Sequence, residues 1–103
     1  MTDINGALSG LKIVACSTAQ AGTVPYMLMA DLGAEVIKIE TPGKGDMNRK
    51  SGYLIGSTGS FFETNNRGVK SLTLNLKSQK GQKILHDLIK DADIFGQNFR
   101  PGV

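Results

Sequence analysis

The sequence predicts an open, mostly parallel α/β sheet of Rossmann-like type, with three or four short strands and two main helices. Three observations carry this. The run LKIVACS, Leu11 to Ser17, is apolar on both faces and bounded by Gly10 and the loop STAQAGT, as expected of a strand buried in a parallel sheet. A helix-like stretch and a second apolar run, EVIKIE, follow within about thirty residues, which makes a βαβ unit with an expected right-handed crossover. A third run, KSLTLNLK, precedes an amphipathic stretch and a fourth run, DIFGQNF, so strand and helix alternate along the chain.

Each element has local support. Thr23 is a candidate N-cap, and Pro25 suits the first helical turn, where its missing N–H is not needed. The helix from about Val24 to Leu32 places Tyr26, Met29 and Ala30 on one side, and Gly33 supplies a C-terminal glycine. EVIKIE alternates and stops at Glu40. From Thr41 to Gly68 the chain is rich in Gly, Ser, Asn and Thr, with Phe61 and Phe62 as its strong apolar anchors, and reads as one long irregular loop. Lys70 to Lys77 alternates again, with Leu72, Leu74 and Leu76 on one face. Ser78 caps a helix from Gln79 to about Lys90, whose stripe is Ile84, Leu85, Leu88 and Ile89.

The bulk properties exclude several classes. At 103 residues, 40% apolar and 20% charged, the chain is that of one ordinary soluble globular domain. No run approaches the roughly 20 apolar residues of a membrane-spanning helix, and MTDINGALSG lacks the pattern of a secretory signal, so a cytoplasmic protein is expected. The single cysteine, Cys16, excludes an internal disulfide and a multi-cysteine zinc site; within its apolar run it reads as a buried structural thiol, and no metal is expected. The net charge of +3 is dispersed, without a basic block or a tryptophan, which argues against nucleic acid and fits a small anion better.

Signature motifs are absent. The turn after the first run, STAQAGTVP, has one glycine where a dinucleotide fingerprint needs three. Gly43-Lys44-Gly45 follows the second run, and its lysine is not followed by Ser or Thr as a P-loop requires. What remains is a helix N-terminus near Gly22 that faces the carboxyl edge of the sheet, where open α/β sheets bind ligands. Gln20 could offer amide donors and an acceptor there, although a plain turn glutamine is the blander reading. Lys44, Arg49, Lys77 and Arg100 form an anion site if they converge, and are ordinary surface charges if they do not. His86 reads as a solvated helix residue, and no carboxylate pair is placed for acid–base work.

The stretches LSGLKIV, QAG, ADLGAEVIKIETPGKGD, NRGVKSLTLNLKSQKGQKIL and DADIFGQNFRPGV, in this order and spacing, resemble the N-terminal segment of the family III CoA-transferases. The resemblance implies an enzyme of CoA thioesters, with coenzyme A or acyl-CoA and a small carboxylic acid as its ligands, and a homodimer for full-length members. By position, Gln20 and Ala21 match the loop beside the thioester, Leu74, Asn75, Leu76 and Lys77 the segment at the adenosine part, and Asn98, Phe99 and Arg100 the segment along the nucleotide and pantetheine. It further implies that Gly43 and Gly45 let the loop backbone approach the ligand.

Some positions depart from the family pattern. Thr41 stands where an arginine commonly follows the glutamate, Thr23 where a proline is common, and Gly96-Gln97 where an apolar residue and a glutamate are usual. The aspartate that forms the acyl-anhydride and then the aspartyl-CoA thioester lies, by the same resemblance, well beyond residue 103. The expectation is therefore a truncated CoA-binding segment without catalytic residues, inactive by itself. Two alternatives stay open: a racemase relative that uses the same CoA site, and a non-catalytic module that binds CoA, another nucleotide or a partner protein.

Overall fold

A computed structural model describes residues 6–103. Strand β1 (Lys12–Cys16) is followed by helix α1 (Val24–Asp31), β2 (Glu35–Glu40), a 3-10 turn (Met47–Lys50), β3 (Leu54–Ile55), β4 (Thr58–Gly59), α2 (Ser60–Asn65), β5 (Lys70–Thr73), α3 (Gln79–Lys90) and β6 (Ile94–Gln97). Four of these strands form one parallel sheet in the order β5-β2-β1-β6. The predicted α/β sheet is present, with three α-helices rather than two.

The sheet is covered on both faces. Val14, Cys16, Ile39 and Leu74 form one buried cluster, against which α3 lays Leu85 and Leu88 together with Leu72, Leu76 and Phe99. Ile13, Ala34 and Val36 form the other, under Tyr26, Met29 and Ala30 of α1. Each fully buried aliphatic side chain of this kind contributes about 1.5–3 kcal/mol. The expected stripe of α3 is narrower than its sequence suggests, because Ile84 is exposed.

The helix ends confirm one cap and correct another. Ser78 accepts from the Gly81 N–H at 3.0 Å, as a capping serine does. Thr23 sits at the N-cap position of α1 but donates its hydroxyl backwards to the Ala19 carbonyl and caps nothing. Gly33 closes α1 at a φ of 106°.

Two predictions are corrected in extent. The run from Lys70 to Lys77 is a strand only as far as Thr73; Leu74 adds a last bond to the Glu40 carbonyl, and residues 75–78 turn into α3. Residues 41–68 are not one irregular loop, since they hold the 3-10 turn, the β3–β4 hairpin and α2. These pieces are two to six residues long, too short for periodicity to show in sequence. Their placement explains β2: Lys38 and Glu40 are 3% and 4% exposed because residues 46–66 cover that end of the strand. Among the described residues no helix is long and apolar enough to cross a membrane.

Candidate functional site

The direction of strand addition reverses at β1. From β1 the chain adds β2 and β5 on one side, then crosses to place β6 on the other, so the loops leaving β1 and β6 diverge at a topological switch point. Cys16 pairs with Gln97 at the ends of these strands. Directly beyond them the Asn98 amide bonds both backbone groups of Thr18, accepting its N–H at 3.0 Å and donating to its carbonyl at 2.9 Å. Asn98 thus acts here through its hold on the β1–α1 turn.

A cleft of about 510 Å³ opens at this edge, lined by Leu76, Gln82, Leu85, His86, Phe95, Gln97, Phe99 and Arg100. It has an apolar floor and an exposed guanidinium, a combination that suits a ligand with a hydrophobic body and an anionic group. Gln97 accepts from the Phe99 N–H at 2.7 Å and so shapes the segment that carries Phe99 and Arg100. His86 is exposed, as expected, but stands on the rim of this cleft. Cys16 lies beneath it, and burial pushes its thiol up to about 11, which leaves it protonated and inert at neutral pH.

Gln20 lines a separate cleft of about 440 Å³ with Ala19, Asn48, Ser51 and Phe61. Ala21 is exposed in the same turn, and among the described residues the N–H groups of Gln20 and Ala21 find no acceptor. Ala19 has a φ of 61°, the one positive value at a non-glycine among the described residues. In that conformation an alanine costs roughly 1–2 kcal/mol.

The remaining candidates divide. Leu74 is a core residue, so its side chain serves the sheet. Asn75 accepts the Lys77 N–H at 3.1 Å within an exposed turn, and Lys77 is exposed. Lys44 and Arg49 border a third cleft, of about 250 Å³, with Thr41, Ser71 and Thr73. The four cations therefore do not converge on one cleft: Arg100 stands at the largest, Lys44 and Arg49 at the third.

Arg49 is also committed to a partner. It donates to Glu40 through Nε at 2.7 Å and Nη2 at 2.6 Å, and its guanidinium lies 4.0 Å from the Phe62 ring centre. Glu40 also accepts from the Ser71 hydroxyl and from the Asp46 N–H at 2.8 Å. Burial raises the Glu40 carboxyl, but these bonds together outweigh it and hold the group down at about 2. Beside this pair Lys38 donates to Asp46 and, at 2.9 Å, to Asn66. The role expected of Gly45 changes accordingly: a Cβ there would lie 2.7 Å from Glu40 Oε1 and 2.9 Å from Arg49 Nε, so this glycine makes room for the ion pair.

Sequence reasoning missed Asn48, Ser51, Phe61 and Gln97 at the clefts. It also missed the buried network of Lys38, Glu40, Asp46 and Arg49. A signal for the network existed in a Lys-x-Glu pair within an apolar strand, followed by an aspartate and an arginine.

These features define a class: a doubly wound α/β unit whose open clefts lie at the carboxyl edge of a parallel sheet. The chain belongs to CoA-transferase family III, whose sequence profile matches residues 8–103. It is 38% identical over 98 residues to an acetyl-CoA:oxalate CoA-transferase of Acetobacter aceti, an alignment covering 95% of this chain and 25% of that protein. It is 41% identical over 96 residues to a succinyl-CoA:glutarate CoA-transferase of Homo sapiens, covering 92% of this chain and 22% of the other. A solved CAIB/BAIF family protein from Brucella suis has a TM-score of 0.88 and 33% identity, over 96% of this chain and 27% of that one. The chain thus spans about a quarter of the length of these relatives.

Proposed function

We propose that this chain forms part of the coenzyme A site of a family III CoA-transferase, in which CoA passes between a thioester and a small carboxylic acid. The observation that carries this reading is the cleft of about 510 Å³ at the switch point, where Leu76, Phe99 and Arg100 meet. Leu76 and Phe99 offer apolar surface to the pantetheine and adenine portions, and Arg100 a fork of donors to a phosphate. Gln20, with the free N–H groups of its turn, is suited to hold the thioester carbonyl and to stabilise negative charge developing on its oxygen. The names of the similar proteins, which are CoA-transferases, support this reading over a racemase.

Calorimetric titration of the 103-residue chain with CoA tests the proposal. Saturable binding is expected, weakened about ten-fold or more by Arg100→Ala, the scale of a lost charge-assisted hydrogen bond. Arg67→Ala, which removes an exposed ion pair with Asp31, should leave affinity unchanged. Equal binding by all three proteins, or none by any, refutes the assignment. The chain alone is expected to release no CoA from acetyl-CoA in the presence of oxalate. The self-association implied for full-length members has support in the exposed side chains of Met47, Tyr53, Leu54 and Ile55.

A further inference from the structure

Side chains hold the turn before Gln20 at every backbone polar group of Thr18 and Ala19. Asn98 binds both groups of Thr18. Asp46 Oδ1 accepts the Ala19 N–H at 3.3 Å, and the Thr23 hydroxyl donates to the Ala19 carbonyl. Ala19 has no side-chain hydrogen bond and no glycine-like freedom to favour its φ of 61°. Its conformation must therefore be imposed from outside, and the groups in place to impose it are buried: Thr23 is 2% exposed and Asp46 1%.

Asp46 comes from the loop after β2, 27 residues along the chain from Ala19. Its other oxygen is neutralised by the buried ammonium of Lys38, which Asn66 also binds and which lies 5.4 Å from the Phe62 ring centre. A buried, paired carboxylate is a fixed acceptor. Were Ala19 to relax to a right-handed or extended conformation, the next peptide would rotate and Gln20 would leave the cleft it now lines.

We propose that Asp46 and Thr23 are positioning residues: from opposite sides they hold Ala19 in its left-handed conformation and thereby fix Gln20, and the N–H groups of its turn, toward the thioester end of the ligand. The inference rests on the proposed role of Gln20 at the thioester. A purely structural duty for Asp46, as cap of the 3-10 turn through the Asn48 N–H at 2.9 Å and as partner of Lys38, explains its burial but not its bond to Ala19.

The test has a ligand-free arm and a binding arm. Amide exchange at Ala19 is followed by NMR in the wild type, Thr23→Val and Asp46→Asn. Protection is expected in the wild type, with exchange about ten-fold faster or more in either variant while β1 and β2 keep their protection. Affinities for CoA and acetyl-CoA are then measured for Thr23→Val, Gln20→Ala and the double variant. Thr23→Val should weaken acetyl-CoA binding at least as much as Gln20→Ala does, with little effect on CoA, and should cost clearly less in the Gln20→Ala background than in the wild type, because only the N–H groups of the turn are then left to displace. Ala19→Gly, which adopts positive φ without steric cost, should restore part of the loss. Independent, additive losses, or wild-type exchange at Ala19 as fast as at an exposed amide, overturn the proposal. If the wild type binds neither ligand, the proposed function falls, and the exchange arm still decides whether the clamp exists. If Asp46→Asn fails to fold, Thr23→Val decides it.

Discussion

Glu40 ends β2 inside the protein as an ionised carboxylate, and its surroundings make stability depend on acid. Its carboxyl is lowered from 4.5 to about 2 in the folded chain, so the unfolded chain binds the proton first as pH falls. The stabilisation is complete above about pH 4.5 and fades toward pH 2, and its size at neutral pH is roughly 3 kcal/mol. Urea unfolding should show Glu40→Gln to be less stable than the wild type by about that amount at pH 7, with the gap closing at pH 2. A gap independent of pH would contradict the account. Gly96 makes a second prediction: a Cβ there would stand 1.7 Å from Tyr26 Oη, so Gly96→Ala should destabilise by about 1–3 kcal/mol through overpacking. Tyr26→Ala should relieve most of that penalty, which a double-mutant cycle measures. Neither feature was legible in the sequence. Gly96 read only as a departure from the family pattern because the ring that rests on it comes from α1, 70 residues earlier. Glu40 read only as the last residue of its run because Arg49, Ser71 and the Asp46 N–H reach it only in the fold.

Among the elements, α3 was the most legible. Its cap, its length and the inward positions of Leu85 and Leu88 follow from Ser78 and a period of 3.6, signals that lie within the helix itself. Ser78→Ala should therefore lower stability by about 1 kcal/mol, read as a shift in the urea midpoint with an unchanged slope. An unchanged midpoint would show that the bond to the Gly81 N–H contributes nothing. By contrast, β5 ends four residues early. Alternation persists through Leu76, but beyond Leu74 the backbone must turn to start α3, and hydrophobic patterning does not record that turn. The hairpin of β3 and β4 depends on Gly56, at a φ of 64° in a two-residue turn, and its strands are too short to alternate visibly.

For the whole molecule, the alternation of strand and helix predicted the sheet, while its order β5-β2-β1-β6 comes from the structure. That order places the turn after β1 and the segment after β6 on either side of a switch point. The candidates Leu76, Phe99 and Arg100 are brought to one cleft there, and Gln20 to a neighbouring one. Their types and positions were legible through a family resemblance. The withdrawal of Leu74 into the core and the neutralisation of Arg49 by Glu40 were not, because both depend on contacts between distant elements. All of this places CoA, in the proposed function, along the carboxyl edge at this switch point. The most direct measurement is an NMR titration of the isotopically labelled 103-residue chain with CoA, following each backbone amide. Saturable shifts are expected, concentrated at residues 17–22, 75–77 and 97–102. Shifts confined to the opposite edge of the sheet, around Glu35, Arg67 and Lys70, or none at saturating CoA, would contradict this placement.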